Sequence, residues 1–174
     1  MWESVRHIVG VQLRNLATVG GSIYSRFGFS DVLTMFLALN ASVELYKSGV
    51  VPLAEYAQRP YDRDILVRVL VPKENACFVY QSVRNSQTDF PVLTCAAAKL
   101  ADGSIRAAIG ARPGKAVLYT AAPEAGETAE KFAARFAAEV KADIKTESNL
   151  RGGAEYRRHL AGVLTKRAVC RLEG

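Results

Sequence analysis

The chain has 174 residues, with a hydrophobic share of 49% and a charged share of 23%, the balance of a folded protein holding one core or two small packed lobes. No apolar run reaches the roughly 20 residues that span a bilayer, and the Met1–Ser4 start has neither a basic n-region nor an apolar h-region. Neither a membrane span nor a secretory signal is therefore expected. A net charge of +6 raises the question of nucleic acid, but the basic residues are spread along the chain. Only Arg151, Arg157, Arg158, Lys166 and Arg167 form a local group, without interleaved aromatics, so a solvated or partner-facing surface is expected and nucleic acid is not.

The three cysteines, Cys77, Cys95 and Cys170, are far apart and form no C-x-x-C pair. That argues against a zinc site or a disulfide framework and for a reduced, cytoplasmic setting. His7 and His159 lie in separate helix-like segments and read as surface residues. No nucleophile–base pair and no metal-ligand set stands out, so no catalytic or metal residue is assigned.

In chain order, Val5, Ile8, Val9 and Leu13 recur at helical spacing, predicting one short amphipathic helix over residues 2–12 that delivers an Arg14-Asn15 turn. A glycine-bearing loop at residues 18–22 follows. Ser30 reads as an N-cap and Asp31 as first-turn acid of a buried helix through Leu39. Strands are predicted at residues 41–46, 50–53, 64–71, 77–84, 90–99 and 105–111, with a helical turn at 54–58 and a hairpin turn at 101–104. The end of the chain is helical. Residues 128–145 present Phe132, Phe136, Val140 and Ile144 on one face. After the Gly152-Gly153 break, residues 154–171 present Tyr156, Leu160, Val163, Leu164 and Val169.

The fold class expected is α+β. A partial α/β lobe over residues 1–72 is followed, over residues 73–174, by a three-stranded antiparallel sheet packed with C-terminal helices.

The chemistry concentrates at residues 14–22, Arg-Asn-Leu-Ala-Thr-Val-Gly-Gly-Ser. Paired glycines permit positive φ and close approach of backbone N–H groups to an anion, and Thr18 and Ser22 add hydroxyls. The same composition also builds ordinary tight turns.

The run from Arg14 through Ile23 resembles the second flavin-diphosphate loop of the FAD-binding subunits of the molybdenum hydroxylases, the xanthine dehydrogenase and carbon monoxide dehydrogenase family. Further landmarks are similar in the same order: Ser30-Asp31, the strand from Ile65 to Pro72, Tyr80, the Arg84–Pro91 link, and the helix from Glu155 to Arg167. The resemblance implies that Thr18, Val19, Gly20, Gly21 and Ser22 meet the FAD diphosphate and that Asp31 accepts a hydrogen bond from a cofactor hydroxyl. It implies Leu66 against an FAD ring and Tyr80 beside the flavin. On residue chemistry alone Asp31 is a helix-start carboxylate, Leu66 plain core and Tyr80 a half-buried strand tyrosine. Arg84 and Asn85 are read as fixing the link between lobes.

Two departures bear on these roles. Gln81-Ser82 stands where relatives often carry a lysine after the strand aromatic. Only residues 1–17 precede Thr18, leaving no place for the family's first glycine-rich diphosphate loop. The lost contacts are expected to weaken FAD binding and to expose apolar surface around Phe36 and Leu37, for a partner to cover.

Two functions follow. In the first, the chain is a shortened or split FAD-binding subunit that relays electrons from iron–sulfur clusters through FAD to an acceptor. Its partners are a molybdenum-cofactor subunit, a 2Fe–2S subunit and a separate N-terminal FAD-lobe polypeptide supplying the first loop. In the second, it is a non-catalytic assembly or docking module that no longer binds FAD on its own.

Overall fold

The computed structural model describes residues 2–73 and 77–173. Two antiparallel sheets organise them. In the first half, β1 (Ser42–Leu45) lies between β2 (Gly49–Pro52) and β3 (Leu66–Leu70), in the order β2-β1-β3. In the second half, β4 (Cys77–Val83), β5 (Leu93–Lys99), β6 (Ile105–Gly110) and β7 (Val117–Ala121) form a meander in sequence order. The fold is α+β, as expected. Strand β7 adds a fourth member to a sheet for which the sequence predicts three; its half-buried, ungraded Val117-Leu118-Tyr119 run carries no clean alternation.

One helix joins the two halves. Ser30 caps α4 (Asp31–Ala38), its hydroxyl accepting the Leu33 N–H, and every residue of α4 is buried. An all-round apolar helix needs cover on all sides. Here it shares one core with Val43, Leu45 and Tyr56 of the first half, the last from α5 (Leu53–Tyr56), and with Tyr80, Ala96, Ala98 and Ala108 of the second sheet. Strand β5 reads as a nearly continuous buried run because both its faces are covered. Ala96 and Ala98 face the α4 core, while Cys95 and Ala97 belong to a second core with α6 (Ala129–Asp143) and α7 (Ala154–Glu173). Alanine at these positions lets helices approach both faces.

Phe36 and Leu37 are 5% and 2% exposed, which corrects the expectation of apolar surface there. The second sheet supplies the cover. Apolar side chains do emerge on the short helices α2 (Val11–Leu16) and α3 (Val19–Tyr24), where Leu16 is 83% exposed and Val11 58%.

Three local expectations are corrected. The opening helix is two pieces, α1 (Trp2–Val5) and α2, separated by a bend in which Val9 takes φ 42°, a left-handed conformation rare for a β-branched residue. Arg14-Asn15 is therefore inside α2 rather than a turn. The stretch at residues 18–22 is the N-cap and first turn of α3. Gly20 and Gly21 have no positive φ, so their value is space rather than handedness.

On α7, Tyr156 is half-exposed and Arg157 takes the buried position beside it. Arg157 is wholly buried without a carboxylate. It donates to the carbonyls of Val92, Glu147 and Gly152 and to Asn149 Oδ1, fastening the 147–152 loop to the start of β5.

Among the described residues no helix is long and apolar enough to cross a membrane.

Candidate functional site

The first turn of α3 opens into a cavity of about 410 Å³. Thr18, Gly21 and Ser22 form one end, while Leu13, Phe27, Phe29, Phe90 and the Asp31–Arg84 pair line the rest. Thr18 sits in extended backbone (φ −113°, ψ 150°), and its Oγ1 accepts the Gly21 N–H at 2.9 Å, fixing the helix start. The Ser22 N–H goes to the Thr18 carbonyl. First-turn geometry leaves the N–H groups of Val19 and Gly20 without an intrahelical acceptor.

A Cβ built on Gly20 meets nothing within 4 Å, whereas one on Gly21 lies 2.9 Å from Thr18 Oγ1. The turn thus has one bare, open backbone face, and that face is at Gly20. Hydroxyl donors are fewer than the sequence suggests. The Ser22 hydroxyl is spent on the Thr18 carbonyl at 2.9 Å, and that of Ser30 on the Ser22 carbonyl at 3.0 Å. Thr18 retains its hydroxyl proton, because its oxygen serves as acceptor.

Three further lining residues are aromatic. Phe27 and Phe29 stack with ring centroids 5.0 Å apart, and Phe90 tilts against Phe29 at 4.7 Å. All three are substantially exposed, Phe27 at 50%, Phe29 at 39% and Phe90 at 41%. This wall separates the cavity from a second one of about 570 Å³, bordered by Arg26, Arg59, Tyr61, Lys115 and Arg151. The loop carrying the phenylalanines is pinned by close backbone approach: a Cβ on Gly28 would stand 1.7 Å from the Gly114 carbonyl oxygen. It is further held by the Ala111 N–H donating to the Gly28 carbonyl.

Asp31 lies on the wall of the first cavity and is buried. Arg84 donates to it through Nη2 at 2.6 Å, and the Tyr80 hydroxyl donates to the same oxygen. Arg84 also donates to the Asp89 carbonyl at 2.7 Å, tying the start of α4 to the loop beyond β4. Burial raises the Asp31 carboxyl above its ordinary value, opposed by the Tyr80 hydroxyl and the Arg84 charge. Burial next to Asp31 pushes the Tyr80 hydroxyl well above its ordinary range, so it stays protonated and donates.

Of the residues singled out in the sequence, Thr18, Gly21, Ser22 and Asp31 line this cavity together. Val19 and Gly20 flank it on the same turn, and Tyr80 reaches it through Asp31. Leu66 does not join them; it is half-buried on β3, packed against the first core. Arg84 links the halves through Asp31, whereas Asn85 Nδ2 donates to the Arg151 carbonyl at 3.1 Å within the second half. The aromatic wall was missed, although the Phe27-Gly28-Phe29 run in a loop was its signal.

Comparison with known proteins decides the family. Residues 1–74 match the model for the FAD binding domain in molybdopterin dehydrogenase, and residues 78–172 match the CO dehydrogenase flavoprotein C-terminal domain. The chain belongs to the FAD-binding subunit family of the molybdenum hydroxylases. FAD is the cofactor of this family. A curated relative is the uncharacterized protein YgfM of Escherichia coli strain K12, 26% identical over 162 residues, which cover 93% of this chain and 61% of YgfM. The chain therefore spans less than two thirds of the length of that relative. The fold matches the CO dehydrogenase from Oligotropha carboxidovorans with TM-score 0.83 at 22% identity, over 98% of this chain and 66% of that one. It matches quinoline 2-oxidoreductase from Pseudomonas putida 86 with TM-score 0.81 at 21% identity, over 98% and 65%.

The cavity fits the family's cofactor in chemistry. A bare backbone turn with free N–H groups suits a diphosphate, and an aromatic wall suits a planar ring.

Proposed function

We propose that this chain holds FAD in the 410 Å³ cavity as the flavin-binding part of a molybdenum hydroxylase complex. The carrying observation is that Thr18, Gly21 and Ser22 of the α3 first turn line one cavity together with Phe27, Phe29 and Phe90, while Gly20 on the same turn leaves open space where a Cβ would stand.

The Val19 and Gly20 N–H groups and the Thr18 hydroxyl would hold the diphosphate, with no lysine needed, because oriented amide dipoles already present positive charge. Asp31 would accept from a cofactor hydroxyl while Arg84 and Tyr80 fix its carboxylate in place. Tyr80 acts through Asp31. The phenylalanine wall would exclude water from one ring face and set its plane. When bound, FAD would supply the redox chemistry of an electron relay between iron–sulfur clusters and an acceptor, while the residues of this chain would bind and orient it.

The cysteines of this chain are widely separated in sequence, so the clusters would belong to a 2Fe–2S subunit, and hydroxylation to a molybdenum-cofactor subunit. Exposed Leu16 and Val11 on α2 support a partner surface beside the site. The domain division is proposed at residue 72, and the three free thiols support a cytoplasmic setting.

The test is a titration of the 174-residue chain with FAD, followed by flavin fluorescence and the visible spectrum. Saturable quenching with affinity on the order of micromolar is expected. It should disappear in a Gly20→Val/Gly21→Val variant that keeps its circular dichroism. A well-folded wild-type chain with no saturable response would refute FAD binding by this chain.

A further inference from the structure

A third cavity, of about 480 Å³, wraps around the outer edge of β4, the free edge strand of the four-stranded sheet. Its lining differs from that of the other two in being polar. Gln81 and Ser82 come from the strand, Arg84 and Asn85 from its end, His7 from the bend after α1, and Arg167 and Arg171 from α7.

The charges in this cleft are unevenly satisfied. Arg84 is spent on Asp31, the Asp89 carbonyl and Ser82 Oγ. Glu3, the one carboxylate of the lining, is paired with Arg6 at 2.8 Å. Arg167 and Arg171 make no ion pair or hydrogen bond among the described residues. They stand four residues apart on one helical face, where like charges repel. Gln81, which also lines the cleft, has its Nε2 buried with no acceptor among the described residues. A buried donor without a partner is costly unless something supplies the acceptor.

Two unpaired guanidinium groups and an orphaned amide donor among the residues of one polar cleft call for a ligand rich in acceptor oxygens. Guanidinium forks match phosphate and carboxylate geometry and retain their charge at every physiological pH. The volume suits a small organic molecule rather than a lone ion. A solvated surface pair of arginines explains the exposure of Arg167 and Arg171, but not the unsatisfied amide buried opposite them.

We propose that this cleft is a second, separate binding site for a small polyanion, held by Arg167, Arg171 and the Gln81 amide, with His7 and Asn85 at its margin. The ligand is a phosphoryl compound or a polycarboxylate. Only Arg84 lines both this cleft and the flavin cavity, and its donors are already engaged; Tyr80 lines the cleft and meets the flavin cavity through Asp31.

The experiment titrates the isotopically labelled 174-residue chain with pyrophosphate and, separately, with citrate at constant ionic strength, reading amide and arginine Nε–H shifts by NMR. Saturable shifts at the Gln81 side-chain amide, Arg167 and Arg171 are expected. Saturation by pyrophosphate assigns a phosphoryl ligand, and saturation by citrate alone assigns a polycarboxylate. The Arg167→Gln/Arg171→Gln variant should weaken the response at least about tenfold, with the circular dichroism and FAD titration of the wild type. The proposal is overturned if neither anion saturates, if shifts cluster at residues 18–22 instead, or if the double variant binds as tightly as the wild type.

Discussion

Alanine at Gly20 separates what the α3 turn does for the fold from what it does for a ligand. Gly20 is the second residue of a helix, its φ is not positive, and an added methyl meets no atom within 4 Å. Alanine there removes backbone freedom from the unfolded chain and improves helix propensity by about 0.5–1 kcal/mol. At roughly 2–4 °C per kcal/mol for a chain of this size, Tm should rise by about 1–4 °C. In the proposed site the same methyl would occupy the face through which a phosphate would reach the turn. Loss of one charge-assisted hydrogen bond, about 1.5–3 kcal/mol, weakens FAD binding roughly ten- to a hundredfold. Stability and affinity should thus move in opposite directions.

Gly21→Ala is the internal comparison. Its methyl would stand 2.9 Å from Thr18 Oγ1 and displace the cap. The lost cap costs about 1 kcal/mol and offsets the helix gain, leaving stability near that of the wild type. Thermal denaturation with and without FAD, together with fluorescence titration, reads both quantities. A Gly20→Ala protein that is stabilised and binds FAD with wild-type affinity refutes close approach at this turn. One that is destabilised refutes the open helical geometry.

Asp31→Ala leaves the Arg84 guanidinium buried without its carboxylate and should cost about 3–5 kcal/mol in urea denaturation; a loss under about 1 kcal/mol would mean that the pair is not buried as described. Asp64 accepts N–H bonds from Lys47, Ser48 and Ile65 and the Ser48 hydroxyl, which hold its carboxyl at about 2, below the ordinary 3.8. Its folded value is depressed, so its stabilising contribution is full above pH 3.8 and fades as pH falls toward 2. Asp64→Asn should flatten the acid limb of a stability–pH profile in that window, and an unchanged limb would place the effect elsewhere. Arg157→Met strips donors from the Val92, Glu147 and Gly152 carbonyls and from Asn149, and should destabilise by at least about 2–3 kcal/mol. Hydrogen exchange should report loosening of residues 147–152; protection equal to the wild type there would contradict the fastening role.

The sequence by itself determined most of the elements, because their signals are local. Ser30 beside Asp31 announces the start of α4, and the Phe132, Phe136, Val140 and Ile144 spacing announces α6. It also carried the family, through the order of residues from Arg14 to Ile23.

Tertiary structure decided what those residues face. The cover of Phe36 and Leu37 comes from Ala96, Ala98 and Ala108, whose distance along the chain hides it from any local pattern. Asp31, read locally as a helix-start carboxylate, becomes half of a buried ion pair because β4 brings Arg84 and Tyr80 to it. The glycines are helical rather than left-handed because the Thr18 cap fixes the turn before they begin. Short-range chemistry fixes where an element starts and stops; only packing fixes which surface it turns to its neighbours and which it leaves open for a ligand.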